Sequence, residues 1–169
     1  MKFLELLKSA VSEFKSFDKN KPIRIIGHLD SDGISASSII VNLLAKEGYK
    51  FSLTVVPQLT RALVKQFSNE DYSYYIFVDL GAGLTSYISQ KLKDKKSIIL
   101  DHHHPEEYEA DNITHVNPNL VGVSGDSEIS GAGVAYFFSR ELGHDELAHI
   151  ALVGAIGDSQ EKNGFFGFN

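Results

Sequence analysis

Four apolar runs in this chain each end on a carboxylate or an imidazole, and that recurrence constrains the fold more than any other feature. The endings are His28-Leu29-Asp30-Ser31-Asp32-Gly33, Val78-Asp79-Leu80-Gly81, Asp101-His102-His103-His104-Pro105 and Gly154-Ala155-Ile156-Gly157-Asp158. Desolvating one isolated carboxylate at the end of a hydrophobic strand costs several kcal/mol, so a cluster of them makes physical sense chiefly when cations are bound among them. The pattern reads as a metal centre at one edge of a parallel sheet.

The segments between these endings alternate in period. Phe3, Leu4, Leu7, Ala10, Val11 and Phe14 recur at helical spacing, which predicts an amphipathic first helix broken at Asp18 to Pro22. Ile23 to Gly27 is a β-branched run with little alternation, as expected of a central strand buried on both faces. Gly33 permits a tight turn, and Ile34 to Glu47 reads as a buried helix closing at Gly48. The same grammar predicts strands at 51–56, 74–79 and 98–101, helices at 59–67 and 84–92, and a shorter strand at 113–116 before the turn Asn117-Pro118-Asn119. Val121 to Asp126 reads as a loop, and helices at 131–142 and 146–156 finish the unit around Gly143. Strands alternating with helices predict an α/β fold: a doubly wound, mostly parallel sheet with helices on both faces.

Composition narrows the chemistry. The 169 residues, 43% hydrophobic and 22% charged, suffice for one domain with a real core. No cysteine is present, so any metal is held by oxygen and imidazole, and a cytoplasmic location fits. Lys2, Glu5, Lys8, Glu13 and Lys15 interrupt the first segment, which is therefore not a signal-peptide core, and no apolar run is long enough to span a bilayer. A formal charge of −6 ordinarily disfavours a polyanionic partner, but two bound divalent cations would reduce it to −2 and could make the local field attractive to phosphate.

In an open parallel sheet, ligands bind beyond the carboxyl ends of the strands where the strand order reverses. Asp79 and Asp101 close predicted strands and Asp30 and Asp32 follow one, whereas Asp158 ends a helix and must arrive through tertiary folding. Two cations roughly 3.5 to 4 Å apart can share a hydroxide and clamp a phosphate, which is what phosphoester hydrolysis at neutral pH requires. A carboxylate and imidazole inventory suits Mn²⁺ better than Mg²⁺, with Co²⁺ and Zn²⁺ also compatible.

Together, HLDSDG, VDLG, DHHHP and GAIGD resemble the DHH phosphoesterase superfamily, which includes RecJ-type exonucleases, short-oligonucleotide phosphodiesterases and manganese pyrophosphatases. The resemblance spans residues 23 to 160. HLDSDGISAS, with Asn117-Pro118 and Ser130-Gly131-Ala132-Gly133, is most similar to archaeal RecJ-like single-strand nucleases, some of which associate with the GINS replication complex. The resemblance implies that Asp30 and Asp79 hold one divalent cation, with His28 a third ligand, and that Asp32, Asp79, His103 and Asp158 hold the second. Asp79 is then the bridge. His102 would face the substrate phosphate or assist the leaving oxygen, and Asp101 would orient the imidazoles. Asn117, Gly131 and Gly133 would contact substrate.

The implied activity is cleavage of phosphodiester bonds in single-stranded DNA or RNA through a hydroxide activated by two metals. The alternatives are a GINS-associated replication scaffold and a phosphohydrolase of short oligonucleotides or pyrophosphate. The family's C-terminal cap domain has no counterpart after Asp158, so residues 1–160 read as the catalytic domain and 161–169, with three phenylalanines among glycines, as the start of a linker or tail. His104 reads as a surface residue, and His115, His144 and His149 as structural or exposed. Lys91, Lys93, Lys95 and Lys96 read as a solvated helix end, and Arg61, early in a helix after a strand, as a residue able to approach a phosphate.

Overall fold

Side chains leave alternate faces of a strand, and here that alternation sorts the core into two layers. In the computed structural model, which describes residues 2–161, 164 and 165, the strands are β1 (Ile23–His28), β2 (Phe51–Val56), β3 (Tyr74–Val78), β4 (Lys96–Leu100) and β5 (Ile113–Val116). Ile23, Ile25, Ile76, Val78, Ile98 and Leu100 point to one face. Ile26, Tyr75, Phe77 and Ile99 point to the other. Helices α1 (Phe3–Lys15), α2 (Ser31–Lys46), α5 (Gly131–Glu141) and α6 (Ala148–Gly157) belong with the first face, and α3 (Arg61–Ser68) and α4 (Thr85–Lys91) cover the second.

The sheet order is β2-β1-β3-β4-β5, and all four pairings are parallel. The chain leaves β1 towards β2 on one side and returns to β3 on the other, so the order reverses between β1 and β3. In their register Gly27 lies beside Val78. The next residues, His28 and Asp79, therefore emerge together at the switch point, where a parallel sheet opens a crevice.

Most boundaries lie within a few residues of the sequence expectation, and the differences have local causes. Helix α2 starts at Ser31 rather than Ile34, because the Asp30 carboxylate accepts the Gly33 N–H at 2.8 Å and caps the helix three residues earlier. Asp32 thus sits in the first turn of a helix and not in a loop. Before α4 a short 3-10 turn spans Ala82–Leu84, entered through Gly81 at φ 111°, a conformation open to glycine at little cost. The lysines expected at a solvated helix end are partly structural: Lys95 Nζ donates to the carbonyls of Ser68 and Glu70, and Lys96 pairs with Glu13. The expected linker or tail lies largely outside the described residues.

His115, on the edge strand β5, has its Nε2 buried without a hydrogen-bond partner. Burial pushes its pKa down to about 4 from the ordinary 6.5, against a weaker opposing pull from Asp101. The native state therefore holds this imidazole neutral, while the unfolded chain takes up a proton below pH 6.5. Its contribution is fully present above pH 6.5 and is lost as pH falls towards 4, by up to about 3 kcal/mol. We expect His115→Phe to flatten the loss of stability between pH 6.5 and 4 relative to the parent, as read from urea unfolding midpoints across that range.

Candidate metal centre

The centre is built from strand ends and held by backbone donors. Asp79 follows β3 with φ 57°, an uncommon left-handed conformation for a residue other than glycine, which takes its carboxylate out of the strand path. The side chain is 1% exposed. Its Oδ2 lies 3.3 Å from His28 Nδ1. Its Oδ1 has no hydrogen-bond partner, although His102 Nε2 is 3.2 Å away. A buried, unpartnered carboxylate oxygen is the electron-pair donor a cation would use.

Asp32, equally buried, is gripped at the N-terminus of α5: Gly131 N–H donates to Oδ2 at 2.6 Å and Ala132 N–H to Oδ1 at 2.9 Å. Two glycines allow this approach. A Cβ on Gly131 would stand 2.3 Å from Asp79 Oδ1, and one on Gly154 would stand 2.5 Å from Asp32 Oδ1. Asp158, at the C-terminal end of α6, brings Oδ2 to 3.8 Å from His102 Nδ1. The helix-borne carboxylate thus joins the strand-borne ones.

The tandem imidazoles divide sharply. His102 is 4% exposed; its Nδ1 lies 2.7 Å from the Gly125 carbonyl, which leaves Nε2 facing Asp79 Oδ1 and, at 3.6 Å, Asp32 Oδ2. The His103 side chain is 53% exposed, with Nδ1 held 2.8 Å from Asp101 Oδ1. Asp101 is a hub: its Oδ1 also accepts the N–H groups of His102 and His103, and its Oδ2 accepts that of Ala82 at 2.8 Å. His28 places Nδ1 2.9 Å from Asp30 Oδ2 and donates Nε2–H to the Pro57 carbonyl at 3.2 Å.

Three groups result in which one ligand atom from each residue lies within 4.8 Å of the others: His28, Asp30 and Asp79; Asp32, His102 and Asp158; and Asp79, His102 and His103. The expected residues converge, and Asp79 is shared. His102 lies buried between Asp32, Asp79 and Asp158, while His103, with Nδ1 3.9 Å from Asp79 Oδ1, joins Asp79 and His102 in the third group and lines the open cleft. Asn117, Gly131 and Gly133, expected at the substrate, are buried, and their polar groups bond within the chain. The Asn117 amide donates to the His103 carbonyl at 2.8 Å, Gly131 N–H to Asp32, and Gly133 N–H to Ser130 Oγ, so they shape the site from behind.

Sequence reading missed Asn119, whose amide holds the His102 carbonyl at 2.7 Å, and Gln160, whose amide donates to Asp158 Oδ2 at 2.7 Å. Their only signal is proximity to the motifs. His104 is exposed, as is His149, and His144 pairs with Glu47 at 3.0 Å.

The charges are out of balance without cations. Burial, aided by the Asp79 charge, pushes Asp32 up to about 7. For Asp79, burial would raise the pKa, but the facing His102 and His28 imidazoles hold it below the usual carboxylate range. Asp101 falls to about 2, because His103 and the Ala82 N–H outweigh its burial. The Asp79 contact raises His28 to about 9, against burial and with help from Asp30. His102 rises to about 10: its burial opposes the proton, but Asp79 and Asp32 dominate. A cleft of 570 Å³ opens beside this cluster, lined by His28, Thr60, Arg61, Gly83 and His103 among others. Arg61 stacks its guanidinium over Tyr87 at 5.3 Å.

Known proteins match this chain in sequence and fold. The sequence model for the N-terminal domain of the DHH family covers residues 22–156. The chain is 35% identical over 176 residues to an uncharacterised protein of Methanocaldococcus jannaschii, a match covering all of this chain and 40% of that one. It is 26% identical over 164 residues to the single-stranded-DNA-specific exonuclease RecJ of Bacillus subtilis, covering 90% of this chain and 21% of RecJ. The crystal structure of Thermus thermophilus RecJ in complex with Mn²⁺ superimposes with a TM-score of 0.72 at 26% identity, over 90% of this chain and 24% of that one. The chain spans less than half the length of each.

Because imidazole binds a metal only through an unprotonated nitrogen, a cation held by His102 and His28 would displace protons from them. With both pKa values raised, these rings are charged at pH 7.5, and affinity should climb as pH rises towards 9 to 10. We expect Mn²⁺ titrated calorimetrically at pH 7.5, in buffers of different ionisation enthalpy, to release at least about one proton per chain.

Proposed function

Since the chain belongs to the DHH family, we propose that it carries a two-cation phosphoesterase centre that hydrolyses phosphodiester bonds in single-stranded DNA or RNA. The observation that carries this reading is the buried, unpartnered Oδ1 of Asp79, shared between groups of side chains that each supply oxygen and nitrogen ligands. His28, Asp30 and Asp79 would hold one ion, and Asp32, Asp79, His102 and Asp158 the other. The donor set contains both carboxylate and imidazole, which favours Mn²⁺ over an all-oxygen magnesium site. When bound, the two cations supply Lewis acidity at the phosphoryl oxygens and a nucleophile at neutral pH.

The chain's own residues supply orientation. Gly131 and Ala132 N–H groups fix Asp32, Asp101 fixes His103, and the Pro57 carbonyl turns His28 Nδ1 towards the carboxylates. His103, half exposed in the cleft with Nδ1 committed to Asp101, has Nε2 available to donate a proton to the leaving oxygen. Arg61 on the cleft wall offers a fixed positive charge to a phosphate beyond the scissile one. The single-strand preference draws support from the likeness to RecJ of Bacillus subtilis, named for that specificity, and the choice of cation from the manganese complex of the Thermus enzyme.

The test is hydrolysis of end-labelled single-stranded DNA, single-stranded RNA, duplex DNA, dinucleotides and pyrophosphate by the Mn²⁺-loaded protein. Cleavage of the single strands supports the proposal. Turnover confined to pyrophosphate or dinucleotides would move the substrate to small phosphoesters, and no turnover at all would overturn it. Asp79→Asn, which keeps the shape but removes the charge shared by both ions, should lower turnover by more than about a hundredfold, beyond what outer partners of a metal site usually cost.

A further inference from the structure

Gln160 is an unusual residue to find 4% exposed, since a glutamine amide buried without partners is costly. It reaches the interior because Ser159 adopts φ 58° just after α6 and turns the chain back, with the Gln160 N–H donating to the Ala155 carbonyl at 3.0 Å. Its side-chain nitrogen then meets two acceptors, Asp158 Oδ2 at 2.7 Å and the Gly125 carbonyl at 2.8 Å. An amide NH₂ has two hydrogens, so both bonds form at once. The Gly125 carbonyl is also the partner of His102 Nδ1 at 2.7 Å, and its two lone pairs are thereby shared between the imidazole and the amide.

We propose that Gln160 is a positioning residue of the metal centre, which orients the Asp158 carboxylate and, through the shared Gly125 carbonyl, keeps the His102 ring turned with Nε2 towards Asp32 and Asp79. The chemistry suits a neutral donor. A lysine at this place would neutralise Asp158 and compete with a cation, and a glutamate would oppose both the carboxylate and the carbonyl. The amide steers Asp158 while leaving its charge for the metal. Gln160 also ties the end of α6 to the segment that carries Gly125, two parts of the chain that each deliver a piece of one ion's surroundings. The partners of the Gln160 amide, Asp158 Oδ2 and the Gly125 carbonyl, both lie beside His102, so its influence falls on the ion that Asp32, His102 and Asp158 would hold.

This inference rests on the two-cation reading, and the test keeps the two apart. Mn²⁺ binding to the full chain is followed by electron paramagnetic resonance and calorimetry for the parent, for Gln160→Met, which keeps the length and loses both donors, and for Gln160→Asn, which keeps the amide but falls one methylene short. Thermal unfolding in chelator monitors the metal-free fold. The expected result is two ions in the parent, and in both variants a loss of about tenfold or more in affinity at one site only, the other site and the metal-free unfolding temperature being unchanged. Equal affinity at both sites in the variants would overturn the positioning role. So would a parallel weakening of both sites with a lowered unfolding temperature, which marks a purely structural part. A parent that binds no Mn²⁺ would instead overturn the metal centre itself, and this inference with it.

Discussion

Asp79 Oδ1 is enclosed by protein at the end of β3, with an imidazole beside it, other carboxylates within a few ångströms and no hydrogen bond of its own. A buried charge in that state is unfavourable unless something positive is held against it, and the surrounding chain is arranged so that something positive can be. The strand order reverses between β1 and β3, which brings His28 and Asp79 side by side. The β3–β4 register carries Asp101 alongside, with Asp79 N–H donating to the Leu100 carbonyl at 2.8 Å. Helices α2, α5 and α6 close the back of the cluster and bring Asp32 and Asp158 to the same place. The fold concentrates the carboxylates of Asp30, Asp32, Asp79, Asp101 and Asp158 around three imidazoles, His28, His102 and His103.

That concentration is maintained by backbone geometry more than by side-chain packing. The Asp32 carboxylate is held by two peptide N–H groups at the start of α5, donors that cannot rotate away and carry the positive end of the helix dipole. Gly131 and Gly154 let two helices approach the carboxylates to distances at which any side chain would collide. Asp101 is saturated by donors from its own loop and from Ala82, and it acts as an anchor for the histidine segment while remaining ionised. Precision at such a centre depends on these supporting bonds, since a ligand misplaced by an ångström is no longer a ligand.

The elements were legible in the sequence for the same reason that the site was. Strands buried on both faces read as apolar runs, and a run that stops abruptly at Asp79 or Asp101 marks both a strand end and a candidate site residue. What the pattern could not carry was the division of labour between adjacent residues. Periodicity says that His102 and His103 follow a strand, but which ring turns inward depends on the Gly125 carbonyl, 23 positions further on. Asn117, Gly131 and Gly133 look like substrate-contacting polar and glycine positions, and only the packed structure shows them buried behind the carboxylates. Gln160 carried no signal beyond its place two residues after Asp158, because a lone glutamine after a helix is ordinarily a solvated residue.

The metal-free centre has its own logic. With His102 raised to about 10 and His28 to about 9, the imidazoles facing Asp79 are protonated at neutral pH. Burial, aided by the Asp79 charge, raises Asp32 to about 7, so it takes up a proton more readily than an ordinary carboxyl. Protons therefore occupy the positions from which cations would neutralise the same carboxylates, and the cluster tolerates the absence of metal without expelling its charged groups from the core. The N–H groups of Gly131 and Ala132 donate to Asp32, and the Pro57 and Gly125 carbonyls accept from His28 Nε2 and His102 Nδ1, so none of these bonds uses the imidazole nitrogens that face Asp79, and exchange of protons for cations there leaves them in place. The scaffold can thus be rigid in both states, and the choice between them falls to pH and to the concentration of free divalent cation.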